Sequence, residues 1–382
     1  MPTKLKNLLS AYSCFTIQKL RIKNTLSTFL SMDTFKINSK IKKSIIQFFF
    51  IITLLISFAY STTYQQYRHF GVTNPRGISD SSSYLKMSDG DYGVIVHHRY
   101  RFIIPETVSL IKPLVEKINL DTNETDKLAF YIVNFTVIVI SSYLLYSLII
   151  ELGLPSLAGI VGAFIFLSSR ISIIAAATPL VDSLAIFSSI FIVYISLVKN
   201  HWVMVFSLPI IALTKDTSYI LMLIPLLSKE FRSVFYYISL SISFSLVYYS
   251  RLVIDNLPSS LLFDSRSGES SFVYLNLVIS HINKIGENFV HLISLSGLHD
   301  IQNGYSLILL FAILGYFVNR KEKTIRLSRE MLILIPIGFF FAILSGNLGR
   351  IFFSFSFPTV IPLAITFVLW MQNKFWDSPK YK

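Results

Sequence analysis

The sequence predicts an all-α, polytopic membrane protein with about ten transmembrane helices and a long first outer loop carrying short amphipathic helices. Three observations predict it. Hydrophobic residue types make up 53% of the 382 residues and charged types only 14%, where a soluble domain carries about a quarter. The mean hydropathy is +0.60. The formal net charge of +13 sits in three short stretches separated by long apolar ones.

Residues 1–44 hold nine Lys/Arg against Asp33 alone. Residues 320–330 hold five against Glu322 and Glu330, and the tail from Lys374 holds three against Asp377. Together they account for the whole +13, so the remainder of the chain nets to zero. Cytoplasmic segments of membrane proteins collect Lys and Arg in this way. A nucleic-acid partner is not expected, because that needs a basic face on a soluble fold. The composition also excludes a water-soluble enzyme and a disordered chain. A single cysteine, Cys14, rules out an internal disulfide and a cysteine-based metal cluster.

The elements follow in order. Residues 1–44 form a basic cytoplasmic lead. Within it, residues 1–31 read either as a targeting segment or as an over-long start, with Met32 opening the natural chain. The first span is Ile45–Tyr60, entered from Lys40, Lys42 and Lys43. Residues 61–127 are a polar outer loop with eight basic and eight acidic residues. Further spans are expected near 128–150, 154–169, 179–198, 202–214, 217–228, 233–250, 305–319, 331–345 and 352–371. Several are short, with Pro155, Pro179, Pro209 and Pro225 near their ends or inside, as helices packed within a bundle tolerate. Residues 251–304 form a second outer segment with apolar stretches near 273–280 and 289–298. The membrane domain thus runs over 45–371, and 372–382 is a cytoplasmic tail. Both termini are cytoplasmic on this count, and the compartment expected is the inner (plasma) membrane.

On that topology, ionisable residues from separate segments gather at the outer span ends. They are Asp80, His97, His98, Arg99 and Arg101 in the first loop, Arg170 and Asp182, Lys215 and Asp216, and Arg350. Charge near bilayer depth is costly and is commonly retained for function. Each taken singly also fits an interfacial side chain snorkelling into headgroups, but anchoring alone would not select Asp182 or Asp216.

Asp80-Ser81-Ser82-Ser83-Tyr84-Leu85-Lys86-Met87, followed by His98-Arg99-Tyr100-Arg101-Phe102-Ile103-Ile104-Pro105, resembles the first outer loop of bacterial GT-C superfamily glycosyltransferases. Thr178-Pro179-Leu180-Val181-Asp182 is similar to the Pro-x-x-Asp at a mid-chain helix start in those enzymes. Thr214-Lys215-Asp216 resembles their Lys-Glu pair with Asp in place of Glu, and Arg350, with Pro358 and Pro362 beyond it, resembles their late arginine. The order holds over 45–371, and the resemblance is to the superfamily rather than to one family within it.

The resemblance implies transfer of a sugar, mannosyltransferase-like, from a polyprenyl-phosphate-linked donor in the bilayer to a glycan, lipid or protein acceptor. The chemistry asks for such residues too. A carboxylate must take the acceptor proton, and cations must stabilise the departing phosphate, preferably as arginine forks. Asp80 is the expected base; its other reading is the N-cap of a helix from Ser81. Arg101, Arg350 and Lys215 are the expected phosphate binders, and Tyr84, His98, Arg99, Asp182 and Asp216 complete the substrate-binding set. No metal or other cofactor is expected: His97 and His98 are adjacent, and no residue completes a zinc spacing. Asp89-Gly90-Asp91 reads as a turn rather than a metal-binding Asp-x-Asp. Asn123-Glu124-Thr125 matches the N-glycosylation pattern and carries little weight. Two rivals remain: a transporter or flippase of lipid-linked glycans, and an O-antigen-polymerase-like enzyme. The first expects charges mid-span and repeat symmetry, and the second a large outer loop late in the chain.

Overall fold

The computed structural model describes residues 39–73, 80–94, 96–118, 122–227, 233–256, 279, 282–345 and 347–375, and among them every regular element is a helix. Residues 1–31, much of the second outer segment (257–278), the His97 and Asn123 side chains and the end of the tail lie outside the described residues. Contacts divide the chain into residues 1–53 and 54–382. The described part of the first unit is the opening of helix α1 (Ser39–Thr73).

Among the described residues four helices are long and apolar enough to cross a membrane. They lie in α1, α5 (Thr122–Glu151), α11 (Val234–Asp255) and α16 (Leu348–Phe375). Two bent pairs raise the number to six: α6 (Ser156–Ser168) with α7 (Arg170–Ala177), bent by 65°, and α13 (Leu295–Tyr305) with α14 (Ile308–Glu322), bent by 79°. The expected ten exceeds this because α8 (Asp182–Val198), α9 (His201–Ala212) and the Ser218–Leu227 segment are shorter apolar helices of 10–17 residues. That segment comprises α10 (Ser218–Leu221) and a 3-10 turn. A further helix, α15 (Arg329–Ser345), has 17 residues.

Helix α1 runs on to Thr73, well past the expected end at Tyr60. The polar residues beyond Tyr60 satisfy themselves within the helix. Ser61 Oγ donates to the Phe58 carbonyl at 2.8 Å, and Thr63 Oγ1 to the Ala59 carbonyl at 2.7 Å. Back-bonding of this kind lets Ser and Thr stay helical without water.

The first loop has a core of its own. Helices α2 (Ser81–Ser88) and α4 (Ile103–Glu116), joined through α3 (Val96–Arg99), bury Tyr84, Met87, Ile104 and Val108 against Phe130 and Val133 of α5. Each such burial contributes roughly 1.5–3 kcal/mol, enough to seat the loop firmly on the helix ends.

Helix α16 is the centre of the second half, with 89% of its apolar window buried. It packs closely on α14, where an added Cβ at Gly315 would fall 1.9 Å from the Leu363 carbonyl oxygen. Pro358 has no N–H, so the Ser354 carbonyl one turn earlier lacks its usual helical donor. Ser189 of α8 supplies one, its Oγ lying 2.6 Å away. A second bracket comes from Asn134, fully buried mid-way along α5. Its amide donates to the carbonyls of Thr178 (3.0 Å) and Leu180 (2.9 Å), and its Oδ1 accepts from Ser183 Oγ at 2.5 Å. The turn into α8, and hence Asp182, is therefore set from the interior of the bundle.

Candidate functional site

Five chain segments meet at one end of the bundle: the loop from Asp80 to Arg101, the start of α8, the turn between α9 and α10, the end of α11, and the start of α16. Arg350 lies one turn into α16. Gly349 before it rides on the Asp300 backbone, where a Cβ would fall 2.1 Å from the carbonyl oxygen.

Asp80 heads α2 without capping it, since its side chain makes no cap hydrogen bond. Its carboxylate turns instead toward the other segments. Oδ2 lies 3.6 Å from Arg350 Nη2 and Oδ1 lies 3.7 Å from His98 Nε2. Arg350 reaches on to Asp182, with Nη1 at 3.5 Å from Oδ2, and Asp182 Oδ1 accepts from Lys215 Nζ at 2.7 Å. The Asp182 and Lys215 side chains are both 6% exposed, so neither charge is tolerable there without the other.

A second branch begins at Tyr84, whose hydroxyl accepts from Arg101 Nη1 at 3.2 Å and whose ring lies 5.2 Å from that of His98. Burial pushes the Tyr84 phenol above its ordinary pKa, which keeps it neutral. Burial works against the Arg101 charge, but the hydrogen bond accepted by Tyr84 and the Asp216 carboxylate outweigh it and hold this pKa above that of an ordinary arginine. Arg101 Nη2 stands 3.5 Å from Asp216 Oδ2, while Asp216 Oδ1 accepts from Arg251 Nη2 at 2.7 Å. Arg251 also donates to Tyr219 Oη at 2.9 Å and covers the Tyr100 ring at 4.7 Å. Tyr100 donates to Asp255 at 2.9 Å, and Arg99 Nη1 faces the same carboxylate at 3.5 Å.

The nine residues given a catalytic or substrate-binding role from the sequence thus fall into one constellation. Asp80, His98, Arg350, Asp182 and Lys215 form one chain of contacts. Tyr84, Arg101 and Asp216 form another, which touches the first through the Tyr84–His98 ring pair, and the buried Arg99 reaches it by way of Asp255, Tyr100 and Arg251. Arg251 and Asn134 were missed. Arg251 lacks a motif and looks like an ordinary residue at a span end. Asn134 is a lone amide in an apolar run, and intramembrane polarity was the signal available to find it.

The electrostatics favour an incoming anion. At the centre four cations (Arg101, Lys215, Arg251, Arg350) face three carboxylates (Asp80, Asp182, Asp216). The Arg350 contacts at 3.5 and 3.6 Å are too long to be good hydrogen bonds. The buried Nε atoms of Arg101 and Arg350 have no hydrogen-bond acceptor. Arg350 and Asp182 open onto a cleft of about 740 Å³, also lined by Arg170, Lys284, Asp300 and Asn303. A second cavity of about 710 Å³ shares Arg170 and Asn303 and continues along Val161, Phe164, Ile165 and Ile308.

Other charged groups are used structurally. Lys112 Nζ sits 2.6 Å from both Asp89 and Asp126. Asp91 Oδ1 accepts from the Gly93 N–H at 2.8 Å, and Gly90 has a φ of 84°. Asp89-Gly90-Asp91 is thus a turn with one acid tied to Lys112 and the other to the backbone. Among the described residues no group of three or more His, Cys, Asp or Glu is placed to hold a metal ion. Compared with protein-family models, curated proteins and solved structures, the chain matches none.

Proposed function

We propose that the protein is a membrane-embedded, GT-C-like glycosyltransferase that moves a sugar from a polyprenyl-phosphate donor to a hydroxyl acceptor. In the reaction the acceptor oxygen attacks the anomeric carbon and the bond from that carbon to the phosphate oxygen breaks. The phosphate leaves with the electron pair, and the acceptor proton passes to Asp80. Arg350, Arg101 and Lys215 stabilise the charge that develops on the leaving phosphate. Tyr84, His98, Arg99, Asp182 and Asp216 hold these groups and the substrates in place.

The observation that carries this reading is the pairing of Asp80 with Arg350 at 3.6 Å, beside a cleft that Arg350 lines, with both Arg350 contacts to carboxylates longer than a good hydrogen bond. A base and an anion binder within one substrate's reach are what the transfer requires. The adjoining cavity, walled by Phe164 and Ile165, fits a donor whose chain stays in lipid.

The topology we propose has ten spans: the four long helices, the two bent pairs, α8, α9, the Ser218–Leu227 segment and α15. Both termini then face the cytoplasm of a plasma membrane, the charged constellation opens on the outer side, and acceptors are glycans, lipids or proteins there.

The test is Asp80→Asn, assayed for transfer from a lipid-linked sugar in the purified, reconstituted protein. The expected loss is roughly a thousand-fold, the scale of removing a general base, with unchanged insertion and thermal stability. Full activity in that variant would remove Asp80 from the mechanism. Movement of a lipid-linked glycan across sealed vesicles with no covalent product would favour a flippase instead.

A further inference from the structure

We propose that Arg251 is a positioning residue that keeps the Arg101 guanidinium available for an anionic substrate by occupying Asp216. This rests on the reading of the constellation as a phosphate-binding site. Asp216 has two oxygens and two arginine neighbours. Oδ1 is engaged by Arg251 at 2.7 Å in a charge-assisted hydrogen bond, while Oδ2 stands 3.5 Å from Arg101. Charge-assisted N–H···O bonds have their optimum near 2.7–2.9 Å. Arg251 therefore has the stronger hold on the carboxylate, and Arg101 has a counter-charge nearby without spending its donors on it.

Arg251 is itself pinned by Tyr100 and by Tyr219, whose hydroxyl also makes a longer contact of 3.4 Å to Asp216 Oδ1. Its guanidinium covers the Tyr100 ring at 4.7 Å and donates to Tyr219 Oη at 2.9 Å. Tyr100 is in turn fixed by Asp255, one turn beyond Arg251 on α11. The Tyr100 ring, the Tyr219 ring at 5.9 Å and the Tyr219 hydroxyl thus hold the fork at one angle, a role a lysine fills poorly because it neither stacks flat nor forks. Remove Arg251, and Asp216 closes on Arg101, whose charge is then neutralised and whose donors are taken before a substrate arrives. The residue acts through Asp216 and touches neither substrate nor the reacting atoms.

The sign of this effect sets it apart from loss of packing. We would compare wild type, R251M, R251K, D216N and the double variant D216N/R251M in detergent micelles. The probe is farnesyl phosphate, and thermal stability is measured in parallel. Arg251→Met is expected to weaken farnesyl phosphate binding about tenfold, and R251K to recover only part of it. The double variant is expected to bind more tightly than R251M, because the orphaned carboxylate that captures Arg101 has been neutralised. Binding of R251M equal to wild type, or a double variant no better than R251M, overturns the proposal. If wild type binds no farnesyl phosphate at all, the phosphate-site reading falls, and the stability cycle judges the positioning role alone. D216N raising the thermal midpoint of R251M then upholds the competition for Asp216, and additive effects of the two changes overturn it.

Discussion

Two cations in this molecule each sit between two aspartates, and they are held differently. Lys112 lies 2.6 Å from Asp89 and from Asp126, within hydrogen-bond distance of both. Arg350 lies 3.6 Å from Asp80 and 3.5 Å from Asp182, outside good hydrogen-bond range of both. The lysine joins α4 to the Asp89 turn through a hydrogen bond and to α5 through a close ion pair with Asp126. The arginine faces a cleft and makes only long contacts to its two carboxylates. The same count of charges thus gives a close staple in one place and a looser, cleft-facing pairing in the other, and the difference is a matter of about one ångström in each contact.

The sharpest way to break this comparison is at Arg350. Arg350→Met should reduce transfer by roughly a hundred- to a thousand-fold, the range for losing one preorganised donor to developing charge. Arg350→Lys should restore little, because a point charge does not fork between two carboxylates and a phosphate. Steady-state transfer from a lipid-linked donor measures both, and equal rates in wild type and R350M would refute the assignment. A smaller and different effect belongs to Lys112. Lys112→Met should cost about 2 kcal/mol of stability, less than a fully buried pair because Asp89 is half exposed. Its transfer rate should stay at the wild-type level, which chemical denaturation together with the same assay would check. A loss of activity at unchanged stability would mean that the staple and the site are not separate.

The sequence already contained much of this. The residues of the site could be found because a charge at a span end is conspicuous in a chain with so few, and because Asp80, Asp182, Lys215 and Arg350 fell on the same side of every counted span. The positions of most helices were legible from apolar runs and prolines. The end of α1 was not, since polarity after Tyr60 looks like a loop until the serine and threonine hydroxyls are seen to bond their own helix. Arg251 was hidden for another reason. Its meaning lies in Tyr100, Asp216 and Tyr219, and no spacing along the chain announces that four residues from three segments will stack and pair.

The hydroxyl of Ser189 on the Ser354 carbonyl has a consequence for how the protein would meet bilayers of different thickness. It joins α8 and α16 two turns below Asp182 and one turn below Arg350, at a carbonyl that Pro358 leaves without its helical donor. Helices that respond to mismatch by sliding past one another would have to break that bond where no water replaces it. The two are expected to tilt as a unit, so that acidic and basic partners keep their spacing when lipids lengthen. Transfer measured across phosphatidylcholines of increasing acyl length should then change less in wild type than in Ser189→Ala. Equal sensitivity in the two would show that the membrane, and not this cross-link, sets the register.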